Sequence, residues 1–382
     1  MKKESVIKVA ILTNVLPVYR EGFYQRLFSS IQLKVSIYCQ DHIPGANFNT
    51  IHDKYPKQVS LVKFISIKGG QFIWQFIPWI KIMKSNDIIF IDGNPRIASQ
   101  AIFATFLRLI GRKVVIWSMV HSHNNNAILE GIRLKWLKLF RYHFLYNDLD
   151  IDRLLARGFN KKIMVAMNNG LDQKKIDRII REWSKEKLLA WQADKELIDK
   201  SCIVSCGRLI AKNKYDLIVR ALKDLKTTFP NILWLCIGSG EERENLEQLS
   251  TKLGVENHVW FLGAIYEEEK LCPWFLSSDF FLHPAAIGLS IMHAYGYGLP
   301  LITHDMEELH GPEFVAFESE TRGRVFKEGD AESLARTIGD LLLDQENLAT
   351  MKLNVQDVVR TKYNVDIMSN RFTELVKTVY HD

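Results

Sequence analysis

The sequence predicts an α/β protein built on two parallel sheets. Short apolar runs alternate with amphipathic stretches from the start, as in VIKVAILTN, FYQRLFSSI and KVSIYCQ, the pattern of a parallel βαβ unit. The alternation restarts at SCIVSCGRL, and a chain of 382 residues exceeds the about 250–300 residues at which a single core stops growing. Two domains are therefore expected, at 1–175 and 196–365, with a terminal helix at 366–382 packing back on the first.

The first βα turn, LPVYREG, carries Tyr19, Arg20 and Gly22 at a strand's carboxyl end, where open α/β sheets bind ligands. Arg20 either faces a phosphate or acceptor group or is a surface arginine at a helix start. The aromatic segment from Phe72 to Met83, edged by Lys81 and Lys84, is read as a buried helix, with docking on a membrane surface as the second reading. The strand DIIFIDGN, the helix AIFATFLRLIG and the strand KVVIWSMV follow. His121 and His123 stand just beyond that last strand, where one of them enters the ligand crevice or both are solvated. The stretch AILEGIRLKWLKLFRYHFLY is expected as one basic amphipathic helix, its Arg133, Lys135, Lys138 and Arg141 set among Leu, Trp and Phe, a pattern suited to anionic lipid. Asp148, Asp150 and Asp152 do not read as a metal site, lacking a calcium-loop glycine and a strand-end setting.

After the strand KIMVAMNNGLD, a charged helical stretch over 172–200 is expected as a connector. The second series opens with SCIVSCGRL, and Arg208, Lys212 and Lys214 follow on one short loop. Three such cations repel one another unless they are solvated or share an anion. Gly238, Ser239 and Gly240 form a tight turn after NILWLCIGSG, expected at a sheet edge and suited to backbone contact with a nucleotide or ribose. The third glycine of a dinucleotide fingerprint is absent.

Residues 276–305 then run as buried strand, glycine turn, helix and buried strand. Gly288, Leu289 and Ser290 sit at the helix start, where unpaired backbone N–H groups suit an anion. The alternative is an ordinary βα turn.

Composition narrows the classes. Hydrophobic residues make up 47% and charged residues 25%, as in globular proteins, which excludes disordered and fibrous chains. The net charge of +6 hides an asymmetry: residues 1–180 hold 27 Lys and Arg against 12 Asp and Glu, and the remainder 23 against 32. A basic first half implies an anionic partner or membrane surface, and its basic residues lack the recognition-helix pattern of a nucleic-acid binder. The five cysteines include no CxxC pair, so no zinc site is expected, and Cys202 and Cys206 read as inert core residues. No apolar run reaches the roughly 18 residues of a spanning helix, so a cytoplasmic protein is expected, with attachment to the cytoplasmic membrane face as an option.

Taken together, ILTNVLPVYREGFYQRL, DIIFIDGNPR, KVVIWSM, CGRL with its following lysines, CIGSGEERENLEQLSTKLG, HVWFLGAI, SDFFLHPA and GLSIMHAYGYGLPLIT resemble the retaining glycosyltransferases of GT-B architecture, family 4 in particular. The resemblance covers nearly the whole chain. It implies two Rossmann-like domains facing a cleft, with a nucleotide-diphospho-sugar held mainly by the second domain and an acceptor mainly by the first. It further implies that Arg208, with Lys212 or Lys214, neutralises the donor diphosphate. Because such fixed cations can replace a divalent metal, no metal or other cofactor is expected, and His121 is expected to contact the donor sugar. The family's usual lysine position is Asn213 here, and its two glutamates fall at Ala285 and His293. Alanine accepts no hydrogen bond; a neutral His293 can accept one from ribose. Glu313 in HGPEF is the expected substitute carboxylate, with a surface glutamate as the plain alternative.

The implied activity is sugar transfer to a saccharide or lipid-linked acceptor, with retained configuration, in surface polysaccharide or glycolipid synthesis. A nucleotide-binding scaffold and a sugar-nucleotide epimerase on the same fold are the alternatives.

Overall fold

In the computed structural model, residues 6–44, 49–67, 71–94, 96–120 and 127–382 are described. The chain divides into two compact units: Met1–Leu171 with Val365–Asp382, and Asp172–Asn364. Each is a Rossmann-like α/β layer structure.

The first unit contains strands β1 (Ile7–Leu12), β2 (Leu33–Cys39), β3 (Val59–Leu61), β4 (Phe64–Ile67), β5 (Phe72–Gln75), β6 (Ile88–Asp92), β7 (Lys113–Ser118), β8 (Tyr142–Leu145) and β9 (Ile163–Ala166). Seven of them form one sheet in the order β3-β2-β1-β6-β7-β8-β9. Its pairings are parallel throughout. Near-continuous burial along β1 and β6 explains why these strands read as unbroken apolar runs: helices cover both faces. The chain order reverses between β1 and β6, and the crevice at such a reversal is where open α/β sheets take ligands.

The terminal helix Val365–His381 belongs to this unit's core. Phe372 stacks on Phe90 at 4.5 Å between ring centres and meets Phe23 edge-on at 5.9 Å. Met368, Leu375, Val376 and Val379 are buried with it. Burying one such aromatic is worth roughly 1.5–3 kcal/mol, so this helix is part of the fold rather than an appendage.

Two expected elements differ here. The segment from Phe72 to Met83 is not one helix: Phe72–Gln75 pairs antiparallel with β4, and only Trp79–Ser85 is helical. Pro78 removes a donor and sets the helix start beyond the strand. The basic helix likewise ends at Leu137, because Tyr142–Leu145 is fully buried as β8.

The second unit contains β10 (Ser201–Cys206), β11 (Ile232–Ile237), β12 (Val259–Gly263), β13 (Phe280–Leu282), β14 (Leu301–His304) and β15 (Gly323–Phe326). They form one sheet in the order β12-β11-β10-β13-β14-β15, with the reversal between β10 and β13. Trp234, the largest fully buried side chain, anchors the core beneath the Asp216–Leu225 helix. The charged stretch after Leu171 is no bare connector. It forms helices Gln173–Arg181 and Lys185–Asp194, tied to this unit by Gln173 Nε2 on the Gly296 carbonyl at 3.0 Å and by Trp191 against Trp274 at 4.7 Å.

Candidate functional site

The loops at the β10/β13 reversal gather most of the expected residues. After β10, the chain turns at Gly207 and packs against the turn after β11. The Leu209 N–H donates to the Ser239 carbonyl at 2.9 Å, and the Glu242 N–H to the Leu209 carbonyl at 2.9 Å. The packing is too close for side chains: a Cβ at Gly238 would lie 1.8 Å from the Gly207 carbonyl oxygen, and one at Gly240 2.2 Å from that of Leu209. Gly238, Ser239 and Gly240 thus lock one loop to the next. They do not lie at the sheet edge, since β11 stands between β12 and β10.

Arg208 and Lys212 are exposed on this loop, and neither side chain has an ion-pair or hydrogen-bond partner among the described residues. Lys214, in a left-handed conformation with φ 53°, is held by the Glu328 carboxylate. Asn213 is a brace: its Nδ2 donates to the Arg208 carbonyl at 2.7 Å. The two unengaged cations are therefore Arg208 and Lys212, while Lys214 has a protein counter-charge.

Across the reversal, β13 runs into the loop that holds Gly288, Leu289 and Ser290. Their backbone N–H groups have no protein acceptor among the described residues, as expected at a helix start; the Ser290–Gly296 helix itself is only two turns. The loop is clasped from behind. Ile287 donates its N–H to His310 Nδ1 at 3.1 Å and accepts the Gly311 N–H at 2.7 Å. His310 Nε2 in turn donates to the His304 carbonyl at 3.0 Å, which fixes the neutral tautomer. Its ring lies between those of His304 and Phe314, at 4.1 and 4.0 Å.

Burial keeps these imidazoles uncharged. It pushes His283 and His304 each down to about 4, and His310 below its ordinary value. Beside the loop, Glu313 is 8% exposed. A methyl group at Gly288 would sit 3.8 Å from Glu313 Oε2, and one at Gly311 3.2 Å from it. Glu313 is thus a buried carboxylate against the glycine turn, not a surface glutamate after a proline.

His293 lies on the Ser290–Gly296 helix and gives its Nε2 to Glu268 at 2.7 Å; the Tyr297 hydroxyl donates to the same oxygen at 2.5 Å. Burial opposes the Glu268 charge, but the His293 and Tyr297 contacts outweigh it and hold its carboxyl below the ordinary value. Only Nδ1 of His293 is left for a ligand hydroxyl. Ala285 is buried, its carbonyl near the Thr303 hydroxyl at 3.4 Å.

In the first unit, Arg20 is buried after β1 with its guanidinium among aromatic rings, not on the surface. Arg133 also turns inward, donating to the Met119 and Val120 carbonyls, so it does not belong to an outward basic stripe. Asp148 and Asp150 do follow a strand end, contrary to the expected setting. Asn147 caps their helix, and Asp150 accepts the Val120 N–H at 3.2 Å. The described residues contain no cluster of metal-ligating side chains. All five cysteines are unpaired, and burial pushes the thiols of Cys202 and Cys206 up to about 12 and about 11. His121 and His123 lie outside the described residues.

Sequence reasoning missed His310 and Asp92. The first was hidden inside HGPEF, where the carboxylate drew the attention; the second closes the strand DIIFID before a glycine, a position where acidic side chains reach a ligand crevice.

Comparison with known proteins defines a class. Residues 191–358 match the model of the family described as Glycosyl transferases group 1, and that segment covers the whole β10/β13 loop system. The second unit therefore carries a glycosyltransferase group 1 domain.

Among particular proteins, the lipopolysaccharide core biosynthesis glycosyltransferase LpsE of Rhizobium meliloti (strain 1021) is 25% identical over 181 residues, 47% of this chain and 50% of the relative. The GDP-mannose-dependent alpha-(1-6)-phosphatidylinositol monomannoside mannosyltransferase of Mycolicibacterium smegmatis is 28% identical over 163 residues, 40% of this chain and 41% of that one. The aligned part thus spans about half the length of these curated relatives or less. A crystal structure of Anabaena Alr3699/HepE in complex with UDP superposes with a TM-score of 0.70 over 97% of this chain and 100% of that one, at 15% identity. At that identity the likeness is one of fold, the GT-B type.

Proposed function

We propose that the protein is a glycosyltransferase that moves a sugar from a nucleotide-diphospho-sugar to a saccharide or lipid-linked acceptor with retention of configuration. The observation that carries this reading is the pairing of two unpartnered cations, Arg208 and Lys212, with the unpaired N–H groups of Gly288, Leu289 and Ser290 across one sheet reversal. When the bond between the sugar carbon and the phosphate oxygen breaks, charge develops on the nucleoside diphosphate. Fixed cations and backbone donors stabilise that charge without reorganising. The acceptor oxygen bonds to the same sugar carbon from the leaving-group face, and its proton passes to the departing phosphate oxygen. Positioning then supplies much of the rate, with Glu313 and His293 as the polar groups against the glycine turn and helix. His121 is assigned to the donor sugar, and Gly238, Ser239 and Gly240 to the nucleotide's backbone contacts.

With cations in this role, the reaction needs no divalent metal. A panel of UDP-, GDP-, ADP- and TDP-sugars incubated with the protein in EDTA is expected to yield one nucleoside diphosphate by chromatography. Binding without turnover, even with added acceptors, would favour a scaffold, and release of a changed sugar nucleotide without acceptor would favour an epimerase.

The relatives' lipid and lipopolysaccharide acceptors support a place at the cytoplasmic membrane face. Ile128, Leu129 and Ile132 are 75%, 63% and 59% exposed on one helix, with Lys135 exposed beside them. No described helix is long and apolar enough to cross a membrane, so contact with anionic lipid would be peripheral. Co-sedimentation with vesicles is expected to rise with anionic lipid content; indifference to that content would rule the contact out.

A further inference from the structure

The turn formed by Gly288, Leu289 and Ser290 is held from behind by His310, and it is also held from the far end of its helix. The Ser290–Gly296 helix is so short that a shift at its carboxyl end is a shift of the turn at its start. The Gly296 carbonyl is one of the last in that helix, which lack partners within it. It accepts instead from the Gln173 amide, Nε2 to oxygen, at 3.0 Å. The approach leaves no room for a side chain: a Cβ on Gly296 would lie 2.9 Å from Gln173 Oε1 and 3.1 Å from Ile176 Cδ1.

Gln173 is 5% exposed and also places Nε2 on Asp177 Oδ1 at 2.9 Å, so both amide hydrogens are engaged. Asp177 takes Arg360 by both oxygens, Oδ1 from Nη2 at 3.0 Å and Oδ2 from Nε at 3.3 Å. Arg360 lies on the Gln345–Thr361 helix, where Asn364 Nδ2 donates to the Val359 and Arg360 carbonyls, each at 2.9 Å. The same helix sends Gln356 against the turn that follows Gly296: a Cβ on Gly298 would lie 2.5 Å from Gln356 Nε2. Asp172 and Asn364 are the first and last residues of the second unit. The helix by which the chain enters this unit and the helix by which it leaves are thus joined through Asp177 and Arg360, and both grip the carboxyl end of the Ser290–Gly296 helix.

Packing alone does not require this arrangement. An apolar side chain of glutamine's length would fill the same space, and burying an amide is costly unless its hydrogen bonds are made. The Asp177–Arg360 pair, its side chains both partly exposed, is of the kind that adds little stability. What the network adds is direction: it fixes the amide against one carbonyl, and so fixes where the helix stands. We propose that Gln173 is a positioning residue for the Gly288–Ser290 turn, oriented by Asp177 and Arg360, so that the turn is set from the two chain crossings as well as from His310. Naming the turn's ligand as a nucleotide rests on the glycosyltransferase reading; the positioning itself does not.

The test is Gln173→Met in the full chain, which keeps the side chain's length and removes both hydrogen bonds. Hydrogen exchange read by mass spectrometry follows the far end of the helix with no ligand present. In peptides covering Ile287, Ile291 and Met292, whose N–H groups are bonded within the turn, exchange is expected to quicken about fivefold or more while β10 and β11 exchange as in the wild type. UDP and GDP are then titrated by calorimetry, and the nucleotide that the wild type binds is expected to bind Gln173→Met about tenfold more weakly. Arg360→Met is expected to act in the same direction and to add nothing to Gln173→Met, since both work through one amide; should Gln173→Met not fold, Arg360→Met decides by the same two readings. Unchanged exchange at the turn, exchange quickened throughout the unit, or a nucleotide bound equally by wild type and variant overturns the proposal. Losses that add in the double variant overturn the part given to Arg360. Quickened exchange at the turn of a protein that binds neither nucleotide leaves the positioning standing and removes the glycosyltransferase reading instead.

Discussion

At the β10/β13 crevice the cations are exposed, and the glycine turn is backed by buried imidazoles together with the Glu313 carboxylate. At the β1/β6 crevice the cation is buried among rings and the titratable group beside it is a carboxylate. Both crevices follow from the same topology, a reversal of strand order in a parallel sheet. The difference is therefore one of loop chemistry: exposed cations with unpaired backbone donors suit a diphosphate, whereas Arg20 is enclosed by the rings of Tyr19, Trp117 and Tyr146.

The largest expected effect is at the first crevice. Arg208→Ala should slow donor breakdown about a hundredfold to a thousandfold, the range found when one preorganised charge-stabilising donor is lost. Arg133→Ala should leave donor breakdown nearly unchanged while costing about 1–3 kcal/mol of stability, because it strands two carbonyls. Equal losses of turnover in the two variants would erase the contrast between the crevices. Next comes His310→Phe, which keeps the stack with His304 and Phe314 but removes both hydrogen bonds. A rise of about tenfold in donor KM, worth about 1.4 kcal/mol, with an unfolding midpoint near wild type is the expected signature of a loop set by His310. A change in the midpoint alone would reduce His310 to a core residue.

The pH response should separate the two crevices again. His283 and His304 have folded values lowered to about 4 from 6.5. Their contribution is thus fully present above pH 6.5 and is lost as the pH falls toward 4. Asp92 is raised from 3.8 to about 6, so its contribution has the opposite sense. It is present below 3.8 and lost as the pH rises through 6. Between pH 7 and 5, hydrogen exchange should quicken at β13 and β14 while β6 keeps or gains protection; parallel loss in both would contradict these assignments. The smallest expected effect is that Asp92→Asn stabilises the chain at pH 7 by about 1–2 kcal/mol, less than the shift implies because the residue is only half-buried.

These contrasts also show which features were legible in the residues. Two parallel sheets could be read because strands covered on both faces appear as unbroken apolar runs, and the loops after them carry the cations and glycines. The hairpin of β4 and β5 could not: its aromatics at Phe72 and Trp74 fit either period until Pro78 is seen to divide the segment. Nor was it legible that Lys214 would be held by Glu328, 114 residues away in the chain, or that His293 would turn to Glu268. Such pairings depend on which side chains the fold brings together, and spacing along one element does not encode that. Asp92 and Arg20 are the same case, two unremarkable residues until β1 and β6 become neighbours.

The central claim is that the β10/β13 loops of the second unit bind a nucleoside diphosphate through Arg208. Calorimetric titration of UDP and GDP into the wild type and Arg208→Ala tests it most directly. The expected result is saturable binding of one nucleotide by the wild type and at least a tenfold loss in the variant, with an unchanged unfolding midpoint. Equal affinity in the two proteins, or no binding by the wild type, would contradict it.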